Sequence, residues 1–254
     1  MLALIKMEFY QLVRNRLFYL MAGISIVFGA LMSSGYIGDT NPFGVPMADG
    51  LSVFGGMVYD STMWLIVIGA MSALMLGQSA SDKTLALAVS AGHSRTSVYF
   101  CKALVFLLAV NIVMFFYPFA GLIVTGAAQG FDKGIIAEPF AQYLLRVTGM
   151  VFLANCAVFS VSILLMAVFQ DAAKTTACAA LAIILESFGM IFFLSRRMPP
   201  LWLPPYMARA AVFTPLNISQ VILILTACLG FTALLLGAGY FVFRKVQFTR
   251  DYTG

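Results

Sequence analysis

The stretch "FCKALVFLLAVNIVMFFYPFAGLIVT", residues 100–125, contains one charged residue, Lys102, among otherwise mostly apolar side chains. An α-helix crosses the hydrocarbon core of a bilayer, ~30 Å thick, with about 20 apolar residues. This stretch is long enough for such a crossing, and Pro118 within it predicts a kink because proline removes one helical hydrogen bond. The stretch therefore predicts a membrane-spanning helix.

Five further stretches have the same character, and the six together take up most of the 254 residues. The whole chain is 62% hydrophobic and 10% charged, with a mean hydropathy of +0.97. A soluble protein of this composition could not cover its own surface with polar groups. We therefore predict an all-α polytopic membrane protein, with residues 1–254 forming a single transmembrane domain. The predicted spans are 17–35, 62–78, 100–125, 141–169, 175–195 and 218–243.

The distribution of Lys and Arg predicts the orientation of these spans. If both termini are cytoplasmic, ten of the 15 basic residues lie inside and five lie outside or near the outer edge. Cytoplasmic loops carry an excess of basic residues, so this orientation is favoured.

Three segments outside the spans have distinct characters. Residues 1–16 predict an amphipathic elbow helix in the inner membrane interface, or alternatively an extension of the first span. Its predicted apolar stripe is Leu2, Ile5, Phe9, Leu12 and Val13, and its predicted polar stripe is Lys6, Glu8, Gln11, Arg14 and Asn15. The first outer loop, 36–61, is rich in Gly and Pro and is expected to fold onto the helices. The last outer loop, 196–217, has five prolines, and its aromatic residues predict that it dips into the outer leaflet.

A few polar residues lie within the predicted spans. Glu186, in "LAIILESFGMIFF", must face protein or water because an ionisable group is costly in lipid. It either lines a translocation path or forms an interhelical hydrogen bond that fixes packing. Asn111 and Asn155 present the same two alternatives, with packing favoured.

The sequence lacks the signatures of an enzyme or a metal protein. It has no phosphate-binding G-x-x-x-x-G-K-[ST] loop, no H-E-x-x-H zinc motif and no G-x-S-x-G elbow. The four cysteines lie in apolar segments without metal-ligand spacing. We therefore expect no catalytic residue, no metal site and no cofactor in this chain.

The segment 79–99, "SASDKTLALAVSAGHSRTSVY", is a polar island between two apolar spans. Ser81 can cap a short helix that begins at Asp82, and Gly92 suits its end. Ser94 can cap the third span, with Arg95 and Lys102 extending toward water from its inner end. The alternative is a solvated loop.

Several parts of the chain resemble the permeases of ABC-2-type transporters. The N-terminal "KMEFYQLVRNRLF" is similar to their elbow helix, with Glu8 and Arg14 at familiar places. Thr84 followed by "SAGHSR" and Lys102 resembles their segment between the second and third spans. The proline-rich loop before the last span and the basic tail "FRKVQFTRDYTG" also fit. One departure is Asp82, where many relatives carry Glu.

The resemblance implies that the polar island is a coupling helix that docks on a separate ATPase subunit. It implies two ATPase subunits, which bind the ATP and Mg²⁺, and a second permease subunit in a homo- or heterodimer. No nucleic acid is expected as a partner. The residues expected to contact the ATPase are Asp82, Lys83, Thr84, Leu87, His93 and Arg95.

Short stand-alone permeases of this kind resemble those of bacteriocin-immunity systems and of exporters of amphipathic peptide toxins. The resemblance therefore implies a hydrophobic or amphipathic peptide substrate, of the phenol-soluble-modulin or lantibiotic type. It also implies that the protein lies in the plasma membrane of a bacterium. Drug or lipid export by the same family is the first alternative. An ion-coupled secondary transporter that uses Glu186, and a membrane scaffold or immunity protein that acts by binding alone, are the others.

Overall fold

The computed structural model describes residues 2–40, 44, 46–82, 84–195, 212–213 and 217–245, with the backbone alone for 190–195. Within these ranges the regular structure is helical, and the one β-type contact is an isolated bridge between Thr40 and Pro46. Six of the helices found there are long and apolar enough to cross a membrane. The prediction of an all-α polytopic membrane protein is confirmed.

The described part of the chain contains nine helices, numbered in chain order. The six candidate spans, α2, α4, α6, α7, α8 and α9, cover the six predicted stretches and extend several of them by a few residues. Pro118 lies inside α6 without ending it. The helices are α1 (Leu2–Arg14), α2 (Arg16–Tyr36), α3 (Gly50–Tyr59), α4 (Thr62–Ser81), α5 (Thr84–Ser90), α6 (Arg95–Gln129), α7 (Phe140–Phe169), α8 (Ala172–Ser195) and α9 (Ile218–Lys245).

Helix α6 is the centre of the bundle. It contacts α1, α2, α3, α4, α5, α7 and α9, and most of its most apolar stretch is buried. The other extensive helix contacts join α4 to α8 and α7 to α9. The short link "QDAAK" makes α7 and α8 neighbours, as predicted, and Gln170 within it adopts a left-handed conformation that ends α7. A movement of α6 would therefore change packing contacts with most of the other helices.

The described part of the predicted first outer loop folds onto α6, as expected, and contains the buried helix α3. Asp49 fixes its start, because one carboxylate oxygen accepts from the Ser52 amide at 2.8 Å and the other from the Lys133 amide at 2.7 Å. The Gly50 amide also donates to the Gly130 carbonyl. These bonds join the loop to the end of α6. The other outer loop, 196–217, lies outside the described residues except for 212–213 and 217.

The N-terminal segment forms the predicted helix, α1. The stripe that packs on the bundle runs through Leu4, Glu8 and Leu12, all of which are buried. Phe9 and Val13, from the predicted apolar stripe, are exposed. One polar residue of α1, Glu8, is thus buried against the bundle. The position of α1 in the membrane interface remains a prediction.

Candidate functional site

The polar island contains a short helix, but it begins later than the sequence predicts. Ser81 is the last residue of α4, and the Asp82 amide still donates to the Gln78 carbonyl at 2.9 Å, so Asp82 ends α4. The Ser81 hydroxyl accepts from the Ala172 amide at the start of α8. The predicted capping role of Ser81 and the helical start at Asp82 are therefore wrong. Ser81 is engaged by α8 instead, and α5 begins at Thr84.

Helix α5 is anchored at its start and along one face. The Thr84 hydroxyl donates to the Ser79 carbonyl at 2.6 Å, which joins α5 to the end of α4. Leu85 and Ala88 are buried against the bundle, whereas Leu87 is 62% exposed. A short helix with one anchored face and one exposed leucine presents a fixed apolar surface.

The end of α5 has the predicted glycine stop. Gly92 has a φ of +90°, a conformation that favours glycine over residues with a Cβ. The Gly92 amide donates to the Val89 carbonyl at 3.0 Å, and the His93 amide to the Ala88 carbonyl at 3.3 Å. Ser94 then caps α6 as predicted, since its hydroxyl accepts from the Ser97 amide. The connection between α5 and α6 is thus a defined turn.

The first turns of α6 are bonded to the last turns of α9. The Arg95 guanidinium donates to the Arg244 carbonyl at 2.8 Å, and the hydroxyls of Thr96 and Tyr240 lie 2.8 Å apart. The Tyr99 hydroxyl donates to the Leu236 carbonyl at 3.1 Å. The bond from Arg95 also satisfies a carbonyl group in the last turn of α9, where a helix has no internal donors left.

Lys102 does not extend toward water as the sequence predicts. It is buried, and its ammonium group lies 2.7 Å from a carboxylate oxygen of Glu8 on α1. The partner charge comes from a helix 94 residues away in the sequence. Burial of Lys102 is tolerated because Glu8 is buried with it and pairs with it.

The six predicted contact residues have different environments. Asp82, Leu87 and His93 are exposed at this end of the bundle, while Thr84 and Arg95 are partly buried and bonded within the chain. Lys83 lies outside the described residues. The pairing of Glu8 with Lys102 was not predicted from the sequence, although each of these charges lies beside apolar residues. That placement was the available signal.

The polar residues predicted to line a path lie on three different helices. The Asn111 amide group on α6 donates to the Leu107 carbonyl at 2.9 Å and approaches the Cys156 sulfur on α7 at 3.5 Å. Asn155 on α7 is also buried. Glu186 on α8 is half-buried and has an interaction partner. The two asparagines thus lie inside the helix packing of one chain, and Glu186 lies nearer its surface.

No group of three or more His, Cys, Asp or Glu side chains is positioned to hold a metal ion among the described residues. The four cysteines are free thiols. The features that distinguish this chain are therefore the anchored helix α5, the bonds around it and the six spans.

Comparison with known proteins agrees with these features. A family model described as "ABC-2 family transporter protein" matches residues 4–192, which extend from α1 into α8. Neither curated proteins nor solved structures give a match. The matched region is about three quarters of the chain and includes α5 and five of the six candidate spans. The chain therefore belongs to the ABC-2 family of transporter proteins, the membrane permeases of ABC transporters.

Proposed function

We propose that this permease subunit exports a hydrophobic or amphipathic peptide and is driven by a separate ATPase that docks on α5. The observation that carries the docking part is the exposure of Leu87 between the buried residues Leu85 and Ala88. An exposed leucine on a rigidly held helix, outside the candidate spans, is a suitable anchor for a protein partner. Asp82 and His93 supply polar contacts at the rim.

The complex contains two ATPase subunits and a second permease subunit, and the ATPases hold the ATP and Mg²⁺. This chain has no catalytic role in the proposal. The contacts of α5 support the transmission of movement, because α5 is joined to α4 through Thr84 and to α6 through the turn at Gly92. A rigid helix joined to two spans moves both when the ATPase moves. The partner thus supplies the energy and this chain supplies the path.

The substrate class is tested with inside-out vesicles that contain this chain and its co-expressed ATPase. We expect ATP-dependent uptake of an amphipathic helical peptide, and no uptake when the ATPase carries a substitution of its phosphate-loop lysine. A fluorescent lipid and a cationic dye test the alternative substrates. Uptake driven by an ion gradient without ATP would instead support a secondary transporter.

The proposed topology places both termini and α5 in the cytoplasm of a bacterium. Ser90 in α5 and Asp132 after α6 are both exposed and suit cysteine labelling. We expect an impermeant maleimide to label Asp132→Cys in intact cells and Ser90→Cys only after lysis. The unsubstituted chain is the control, because three of its four cysteines are buried. Labelling of Ser90→Cys in intact cells would overturn the topology.

Glu186 provides a test of the path. Because Glu186 is half-buried whereas its neighbour Ser187 is buried, we expect Glu186→Gln to lower transport severalfold and leave assembly unchanged. Ser187→Ala is the matched control, and its transport is expected to stay within about twofold of wild type, since most changes of this size are mild. Transport and thermal stability are measured on the same preparations. Normal transport with Glu186→Gln would remove Glu186 from the path.

A further inference from the structure

The ion pair between Glu8 and Lys102 lies at the same end of the bundle as α5 but is not part of the proposed docking surface. The two side chains are 6% and 10% exposed, and the charged atoms are 2.7 Å apart. Glu8 is on α1 and Lys102 is two turns into α6. Burial of two charges is costly because both are removed from water, and removal of one partner would leave the other buried and unpaired.

A small cavity adjoins this pair. It has a volume of about 50 Å³, and its polar lining includes Gln11 from α1, Asn15 between α1 and α2, and Ser79 from α4. A cavity of this size and polarity has room for more than one water molecule. Water at this place can hydrate the charged groups, so the pair is stable without being sealed in an apolar core. Because residues of α1 and of the end of α4 line the same cavity, α1 lies beside the part of α4 that leads into α5.

Helix α1 is directly connected to the first span. Asn15 is the single residue between α1 and α2, and its side chain accepts from the Leu17 amide at 2.9 Å. A shift of α1 must therefore reach the start of α2. The Glu8–Lys102 pair connects α1 to α6, and α6 follows directly from the turn that ends α5. A continuous series of bonded elements thus runs from α5 through α6 and α1 to α2.

We propose that Glu8 and Lys102 form a positioning pair that makes α1, and with it the first span, move together with α6 when the ATPase moves α5. The inference rests on the proposed function, because it assumes a docked ATPase. It adds a second connection between α6 and the first span, besides the direct packing of α2 on α6. The bonds of Arg95 and Thr96 connect α9 to the first turn of α6, about two turns before Lys102. The pair is not expected to contact substrate or ATPase.

The test follows the distance between α1 and α6 in the permease–ATPase complex. Spin labels are placed at Phe9 and Leu104, both exposed, in a variant without native cysteines that retains transport. A second pair of labels is placed at Leu104 and at Met63, which is exposed and lies at the start of α4. When the Glu8–Lys102 ion pair is intact, we expect ATP to change the Leu104–Met63 distance and to leave the Phe9–Leu104 distance unchanged.

Breaking the ion pair should allow α1 to move independently of α6. In Glu8→Gln we expect the Phe9–Leu104 distance to broaden and to change with ATP. The ATP hydrolysed per exported peptide should rise about fivefold or more, the range of typical coupling between sites. Association with the ATPase should stay within about twofold, since neither residue contacts it in the proposal. Lys6→Gln, an exposed charge on the same helix, is the matched control and should behave as wild type.

The charge-swapped variant Glu8→Lys/Lys102→Glu distinguishes positioning from general stability. We expect it to restore both the narrow Phe9–Leu104 distance and the wild-type coupling ratio. Failure of the swap to restore either one, or an unchanged distance and ratio in Glu8→Gln, would overturn the proposal. If the wild-type chain binds no ATPase, the proposed function itself fails, and that result is distinct from a bound ATPase with intact coupling in Glu8→Gln.

Discussion

Leu87→Asp is expected to weaken binding of the ATPase about 30-fold or more while leaving the fold intact. Loss of a central apolar anchor costs about 2 kcal/mol or more at an interface, which corresponds to this change in Kd. The new carboxylate adds a desolvation penalty because it would be buried against the partner. The free chain should tolerate the change, since Leu87 is exposed in the structure.

The measurement is co-purification with the ATPase, followed by a titration of the purified permease in detergent or nanodiscs. Leu87→Met is the matched control, because it preserves apolar character and approximate volume. Leu85→Asp is instead expected to prevent the chain from folding, because Leu85 is buried. Equal ATPase affinity of Leu87→Asp and Leu87→Met would place the docking surface elsewhere.

The membrane spans could be predicted closely because the bilayer imposes a simple requirement on sequence. A spanning segment must be apolar, about 20 residues long and satisfied in its backbone hydrogen bonds. All six predicted stretches lie within helices. The end of α5 at Gly92 and the cap of α6 at Ser94 could also be predicted, because both depend on neighbouring backbone groups and need no distant partner.

The predictions that were wrong depend on partners far away in the sequence. Ser81 was expected to cap a helix, but its hydroxyl accepts from the Ala172 amide, which only the packing of α4 on α8 brings near. Lys102 was expected to reach water, but α1 supplies Glu8. Periodicity within α1 showed an apolar and a polar stripe, whereas the stripe that packs lies between the two. Tertiary contacts, rather than local preference, decided each case.

The contact between α2 and α6 provides a test of the packing itself. Ser25, Gly29 and Ser33 are buried at four-residue intervals along α2, so small side chains face the partner helix. Small residues at this spacing let two helices approach closely within a membrane. A Cβ atom built on Gly29 would overlap the Tyr117 carbonyl oxygen of α6. The backbone atoms at this contact are too near for any residue larger than glycine.

Gly29→Ala is therefore expected to destabilise the chain by about 3 kcal/mol, at the upper end of the usual cost of overpacking. The obstacle is backbone rather than a flexible side chain, and the Tyr117 ring is held against Trp64, with ring centres 5.4 Å apart. α6 cannot relieve the overlap by a rotamer change, so the two helices must separate. For a chain of this size, we expect the midpoint of thermal unfolding in detergent to fall by roughly 6–12 °C. Gly23→Ala on the same helix is the matched control, because no heavy atom lies within 4 Å of a Cβ at that position. Unfolding temperatures that agree between the two variants would show that α2 and α6 do not approach each other at Gly29 in the membrane protein.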